Sequence, residues 1–408
     1  MPAFQAKDAK QIGEVIAWAA AEEQPLEVRA GGSKRALGRP MQTEHVLDIS
    51  ALSGITEYEA PELVLTAGAA TPLAEIDAAL AQKNQMIAFE PADWRHLLGA
   101  DGTKPTIGGV LACNLSGPRR IKAGAARDHF LGFQAVNGRG ELFKAGGKVV
   151  KNVTGYDLNK LYAGAYGTLG VLTEVTIKVL PKPETVRTVL VPCLEDTTAI
   201  EVLTEGLNSP HEVSGAAYLP PNITRRSQAG TVAQSQGGVA LLRVEGPEPS
   251  TAYRSEQLTD MLGRYGPAAL LGESETERLW EALRDVRLLA EPPDRYVWRL
   301  SVTPSRGASV ACDIARSVDA EYLLDWGGGL IWVSISATAP DAGADAVRTA
   351  VRTHGGGHAT LVRAPENVRA AVSVFEPLPG PLAALTARVK EGFDPRRILN
   401  PGRMYAGI

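Results

Sequence analysis

The stretch from Thr106 to Val179 constrains this 408-residue chain more than any other. It reads TIGGVLACNLSGPRRIKAGAARDHFLGFQAVNGRGELFKAGGKVVKNVTGYDLNKLYAGAYGTLGVLTEVTIKV, with glycines at Gly108-Gly109, Gly117, Gly124, Gly146-Gly147, Gly155, Gly164, Gly167 and Gly170. Small hydroxyl, amide and cationic residues fill the gaps. Glycine serves backbone that turns with positive φ or runs close against a ligand. The exposed amides of such turns form concavities that hold anions. The stretch therefore predicts a surface built around an extended, phosphate-bearing ligand.

Composition narrows the classes. The chain is 44% hydrophobic and 22% charged, as expected of a globular protein. A net charge of −4 and scattered aromatics leave neither an electrostatic footprint nor a stacking platform for nucleic acid. Cys113, Cys193 and Cys312 are far apart, so neither a disulfide framework nor an iron–sulfur ligand set is expected. The N-terminus lacks an apolar signal core, and no segment reaches the ~18 apolar residues of a membrane span. Cytoplasmic residence is the simplest expectation.

Periodicity organises the rest. Ile12, Val15, Ile16 and Ala19 fall on one helical face, predicting a helix over 8–23. LEVRAGGSKRALG (26–38) runs from a short strand into a glycine-rich, doubly basic loop. Strands are expected at His45–Ile49 and Leu63–Ala67, followed by a helix with Thr71 as N-cap and Pro72 in its first turn. Pro181 and Pro183 mark the clearest boundary. Beyond it, strands at 188–192, 239–244, 296–301 and 330–335 alternate with helices near 251–263, 275–289, 307–317 and 341–354. That order suits an α+β domain with an antiparallel sheet. A last helix (380–392) leads into GFDPRRILNPGRMYAGI.

Common nucleotide signatures fail: Gly138-Arg-Gly140 lacks the third glycine, and Gly146-Gly147-Lys148 lacks the upstream glycine of a phosphate loop. A bipartite pattern does match. RAGGSKRALG (29–38), then GGVLACNLSG, ARDHFLGFQAVNGRGEL and GYDLNKLYAGAYGTLGVLTEVTIKV, closed by FDPRRILNPGRM (393–404), resemble the FAD-binding domain of the vanillyl-alcohol oxidase, or PCMH-type, family. The resemblance covers about the first 180 residues and the C-terminal dozen. Within it, SGPRRIKAGAARDHFLG and KVVKNVTGYDLNKLYAGAYGTLG are most similar to the FAD-binding E-type subunits of bacterial glycolate oxidase (glycolate dehydrogenase).

The resemblance implies an α+β fold: a PCMH-type FAD-binding domain of two α+β subdomains (1–182), a cap domain with an antiparallel sheet (183–390), and a C-terminal segment (391–408) returning to the first. It implies that Arg29, Ala30, Gly31, Gly32, Ser33, Lys34 and Arg35 hold the FAD pyrophosphate; two cations beside glycines suit a dianionic bridge independently. Thr106, Gly108, Gly109, Cys113, Asn114, Ser116 and Gly117 are expected along the flavin and its ribityl chain. Gly124, Arg127 and Asp128 are expected on the same side, with Gly167, Gly170 and Val171 toward the adenine. At each glycine the alternative is a tight crossover with no ligand role. Ser33 stands where many relatives carry the histidine that bonds the flavin, so the FAD is expected to be non-covalent. Cys113, the position of a second attachment in bicovalent relatives, is then a small residue packing near the cofactor.

The implied reaction is oxidation of glycolate, or D-lactate, to the 2-oxo acid by hydride transfer to FAD. Electrons would pass on through a larger D-type flavoprotein subunit and an iron–sulfur F-type subunit, with any membrane association peripheral and through that complex. The histidine-rich SGEHG-like segment of relatives that oxidise hydroxy acids is missing, which puts a self-sufficient substrate site in doubt. Two alternatives stand: an autonomous oxidase of another hydroxy acid or alcohol, and a non-catalytic FAD-binding assembly subunit. HGGGH (354–358) is too glycine-rich for a helical metal face. Its His358 and His354 are candidates for taking the hydroxyl proton, or are surface histidines. No metal is expected, and His129 is expected to be structural.

Overall fold

A computed structural model describes residues 3–148, 155–193, 195–235 and 237–408; residues 149–154 of the KVVKNVTGYDLNKLYAG segment lie outside them. The chain divides into two compact units, Met1–Leu115 with Gly124–Lys182 and Pro377–Ile408, and Ser116–Ala123 with Pro183–Glu376.

The first unit holds two larger sheets, besides the short pair Gln85–Met86 with Leu180–Pro181. Strands Ala3–Gln5, His45–Asp48 and Leu26–Arg29 form a parallel sheet in that order. The helix Ala9–Ala21, capped by the Asp8 carboxylate accepting from the Gln11 amide, lays Ile12, Ile16 and Ala19 into a core with Leu26, Leu47 and Leu399. Each such aliphatic side chain, fully buried, contributes about 1.5–3 kcal/mol. The second sheet is antiparallel, ordered Ile55–Glu59, Val64–Gly68, Val171–Lys178, Phe130–Val136 and Leu142–Gly146. Thr71 does not cap the following helix, which runs Leu73–Ala81 with Pro72 at its N-cap. Its hydroxyl instead donates to the Gly68 carbonyl at 2.7 Å and accepts from the Gly54 amide at 2.9 Å, closing the turn after the strand.

The second unit is built on an eight-stranded sheet, with Ala269–Leu271 and Gly357–Arg363 at its edges. Between them run Thr185–Cys193, Gly238–Gly246, Gly215–Leu219, Ala320–Asp325, Leu330–Ile335 and Tyr296–Val302, all paired antiparallel. The helices Gly307–Ser317 and Ala344–Thr353 pack together beside the sheet.

Two segments fall on the other side of the expected boundaries. Residues 377–390, expected with the cap, belong to the first unit. The helix Gly380–Phe393 is held there by Lys390, whose buried ammonium donates to the Thr168 carbonyl and the Asp394 carboxylate, each at 2.7 Å, and to the Leu399 carbonyl at 2.9 Å. Residues 116–123, expected with the FAD-binding domain, belong to the second unit. There Arg119 grips Glu245 with two hydrogen bonds, and the Trp326 indole donates to the Gly117 carbonyl at 3.1 Å. Burial would raise the Glu245 carboxyl, but the guanidiniums of Arg243 and Arg119 overcome it and hold it down to about 2.

Candidate functional site

One cleft of the first unit gathers most of the residues singled out by the glycine pattern. Its first wall is the loop leaving the strand Leu26–Arg29, and Arg29 through Arg35 all line it. The loop is rigid. A Cβ on Gly31 would sit 1.8 Å from the Lys104 carbonyl oxygen, so only glycine permits this backbone approach. Arg35 forms a two-pronged ion pair with Glu27, Nε to Oε1 at 2.9 Å and Nη2 to Oε2 at 3.1 Å. Its fork braces the loop, so that one of the two cations of the doublet already faces a carboxylate.

Lys34 lines the cleft beside Arg29 and Arg35. Its ammonium donates to the Ser33 hydroxyl at 3.2 Å and lies 3.7 Å from where a Cβ on Gly109 would stand. Burial lowers its affinity for a proton, with the Asp93 charge opposing that and Arg95 adding to it. An ammonium partly withdrawn from water gains from an anionic neighbour.

The second wall is the helix Ile107–Cys113. The Thr106 hydroxyl accepts from the Gly109 amide at 3.3 Å, and Thr106, Gly108, Gly109 and Cys113 line the cleft. Burial pushes the Cys113 thiol up, against the pull of Arg403 and Lys34. The third wall includes Tyr162, whose hydroxyl donates to the Leu169 carbonyl at 3.0 Å, with Gly167, Gly170 and Val171. Gly167 has φ +71, and a Cβ there would stand 2.7 Å from the Asn400 side-chain nitrogen.

Six expected residues do not line this cleft. Asn114 ends the helix Ile107–Cys113 in a left-handed conformation, and its Oδ1 accepts from the Arg127 amide at 3.1 Å. Asp128 accepts from the Ala125 amide at 2.9 Å and closes the turn that follows Gly124. These contacts give Asn114, Gly124, Arg127 and Asp128 local structural work. Ser116 and Gly117 belong to the second unit.

Neither candidate histidine lines the cleft. His354 follows the helix Ala344–Thr353, and its Nε2 lies 2.7 Å from Asp313 Oδ2. His358 is exposed on the edge strand, opposite Ser301. His129 is buried against Phe89, its Nδ1 3.3 Å from the Lys178 carbonyl, as a structural residue would be.

Sequence reasoning gave no role to Glu27, Asn400 and Arg403, all of which line the cleft. NPGRM was part of the family's closing pattern, but its contacts span more than 360 residues and have no local periodicity.

A glycine-walled cleft lined by the Lys34 ammonium fits a dinucleotide's anionic bridge. Residues 3–146 match the FAD binding domain family. Over nearly its whole length (99% of this chain, 89% of the other) the fold is that of p-cresol methylhydroxylase, TM-score 0.74 at 14% identity. Domain match and fold thus define an FAD-binding protein with the PCMH-type fold, and its relatives make it an FAD-dependent oxidoreductase. Glycolate oxidase subunit GlcE of Escherichia coli (strain K12) is 34% identical over 395 residues, 97% of each chain. Glycolate oxidase subunit GlcD of Bacillus subtilis (strain 168) is 26% identical over 74% of this chain and 68% of its own. The chain belongs to the glycolate oxidase subunit GlcE family.

Proposed function

We propose that this chain is the FAD-carrying subunit of a complex that oxidises glycolate, and D-lactate, to the 2-oxo acid and passes the electrons to an iron–sulfur partner subunit. End-to-end similarity to GlcE, 97% of both chains, carries the reading. Bound FAD supplies the hydride acceptor. The chain's part is to bind, orient and seclude. The loop 29–35 and Lys34 hold the anionic bridge, and the walls around Cys113 and Tyr162 enclose the cofactor. FAD is held non-covalently: Ser33 cannot form a histidyl bond, and the Cys113 thiol is kept protonated by burial. His358 is the proposed acceptor of the hydroxyl proton in preference to His354, whose ring is engaged by Asp313.

The deciding experiment is a visible spectrum of the purified chain, alone and with its partners, before and after anaerobic glycolate. A flavin released by acid precipitation and bleached by glycolate in the complex is expected. In His358→Ala the bleaching should slow by roughly 100-fold with flavin content unchanged. No flavin even after FAD is added refutes the proposal. A flavin that stays with the precipitate refutes non-covalent binding, and unchanged bleaching in His358→Ala places the base elsewhere.

Lys34 gives a pH signature. Burial lowers its pKa in the free chain, whereas an adjacent phosphate favours the charged form. Binding therefore takes up a proton once the free lysine begins to lose it. FAD affinity should fall as pH rises through that lowered pKa, and the fall should disappear in Lys34→Arg, which stays charged. Titrations from neutrality upward to the ordinary lysine value of about 10.4 read the effect; a flat wild-type profile removes Lys34 from the anion site.

A further inference from the structure

Arg403 reaches the cleft from the far end of the chain, and the residue is only 7% exposed. Its Nη2 donates to the Lys34 carbonyl at 2.7 Å, while its Nε is buried and has no hydrogen-bond partner. Among the described residues no carboxylate forms an ion pair with this guanidinium. Arginine is always charged, so a buried guanidinium edge without an acceptor is strongly unfavourable unless a ligand supplies one. The residue is also fixed in place. Its carbonyl accepts from the Arg39 amide at 2.7 Å, and a Cβ on Gly38 would lie 3.1 Å from its Cγ.

The same segment ties two cleft walls together. Asn400 accepts from the Val28 amide at 2.8 Å with its Oδ1, and donates to the Tyr166 carbonyl at 2.8 Å with its Nδ2. Its own amide donates to the Leu26 carbonyl at 3.0 Å. The phosphate-side loop and the Tyr162–Leu172 wall therefore meet on a strap formed by the last residues of the chain.

We propose that Arg403 is a cofactor-binding residue: its Nε–H donates to an anionic oxygen of FAD while its Nη2 holds Lys34, so that docking of the C-terminal strap and binding of FAD are one coupled event. This rests on the cleft being the FAD site. Reciprocity requires that FAD tighten the strap by the factor by which the docked strap tightens FAD.

The test measures dissociation constants for FAD and for riboflavin, which lacks phosphates, with hydrogen exchange over residues 394–408 with and without FAD. Arg403→Met should weaken FAD by roughly 10- to 100-fold while changing riboflavin by less than about 2-fold. FAD should slow exchange of 394–408 in the wild type and lose that effect in Arg403→Met. Arg403→Lys keeps the charge but cannot serve both partners, and should weaken FAD by at least about 5-fold; it decides the question if the methionine variant does not fold. Wild-type FAD affinity in either variant, or equal losses for FAD and riboflavin, overturns the inference alone. A wild-type chain that binds no FAD overturns the site itself.

Discussion

Replacing Lys390 by methionine is expected to lower the melting transition of the first unit by about 10 °C or more, corresponding to roughly 3–5 kcal/mol for breaking a buried ion pair from one side. Lys390 and Asp394 are both essentially inaccessible, 1% and 0% exposed. The ammonium satisfies two carbonyls as well as the carboxylate. The carboxylate in turn accepts from the Ile398 amide at 3.2 Å and the Leu399 amide at 2.8 Å. Methionine fills the same volume but leaves a negative charge buried with amide donors alone. Because those amides lie just before Asn400 and Arg403, FAD affinity should fall with stability. Adding Asp394→Asn removes the stranded charge and keeps an acceptor, so the double variant should recover more than about 1 kcal/mol over Lys390→Met. Calorimetry of the four proteins checks this; strictly additive losses would show that the two charges are not coupled.

Much of this architecture is legible locally. The spacing of Ile12, Ile16 and Ala19 finds the helix that faces the parallel sheet, and strand 330–335 appears as read. The strands Gly215–Leu219 and Ala320–Asp325 were not foreseen. GAAYL carries small residues in place of β-branched ones, and the first half of AEYLLD is half-exposed, so neither shows a clean period. The loop 29–35 and residues of Thr106–Cys113 line one cleft, and their glycine and cation content is visible in sequence. What each residue does there depends on neighbours distant in the chain. Lys34 and Arg35 look equivalent as a doublet, yet Glu27 takes one of them. Asn114 and Asp128 have the hydrogen-bonding capacity of ligand residues but serve nearby amides. Asn400 and Arg403 are invisible as site residues until the fold returns them to Val28 and Lys34.

Gly31→Ala is expected to lose at least about 100-fold in FAD affinity, an effect of the size overpacking produces, while the melting of the second unit stays unchanged. The added methyl would stand 1.8 Å from the Lys104 oxygen, 2.9 Å from its carbonyl carbon and 3.2 Å from Thr106 Cγ2. The loop cannot slide away cheaply, because the Arg35–Glu27 fork and the backbone bridge from Gly32 to Lys104 fix both sides. Other glycines of the region set the scale. On Gly109 a methyl would meet the Lys34 side chain at 3.6 Å and the Thr106 hydroxyl at 3.2 Å, contacts that a flexible chain can relax. On Gly102 it would meet nothing within 4 Å, at ordinary φ. FAD affinity should therefore rank wild type, Gly102→Ala, Gly109→Ala and Gly31→Ala in descending order. Near-equal affinities for Gly31→Ala and Gly102→Ala would show that the loop yields, and that its glycines answer to something other than this backbone approach.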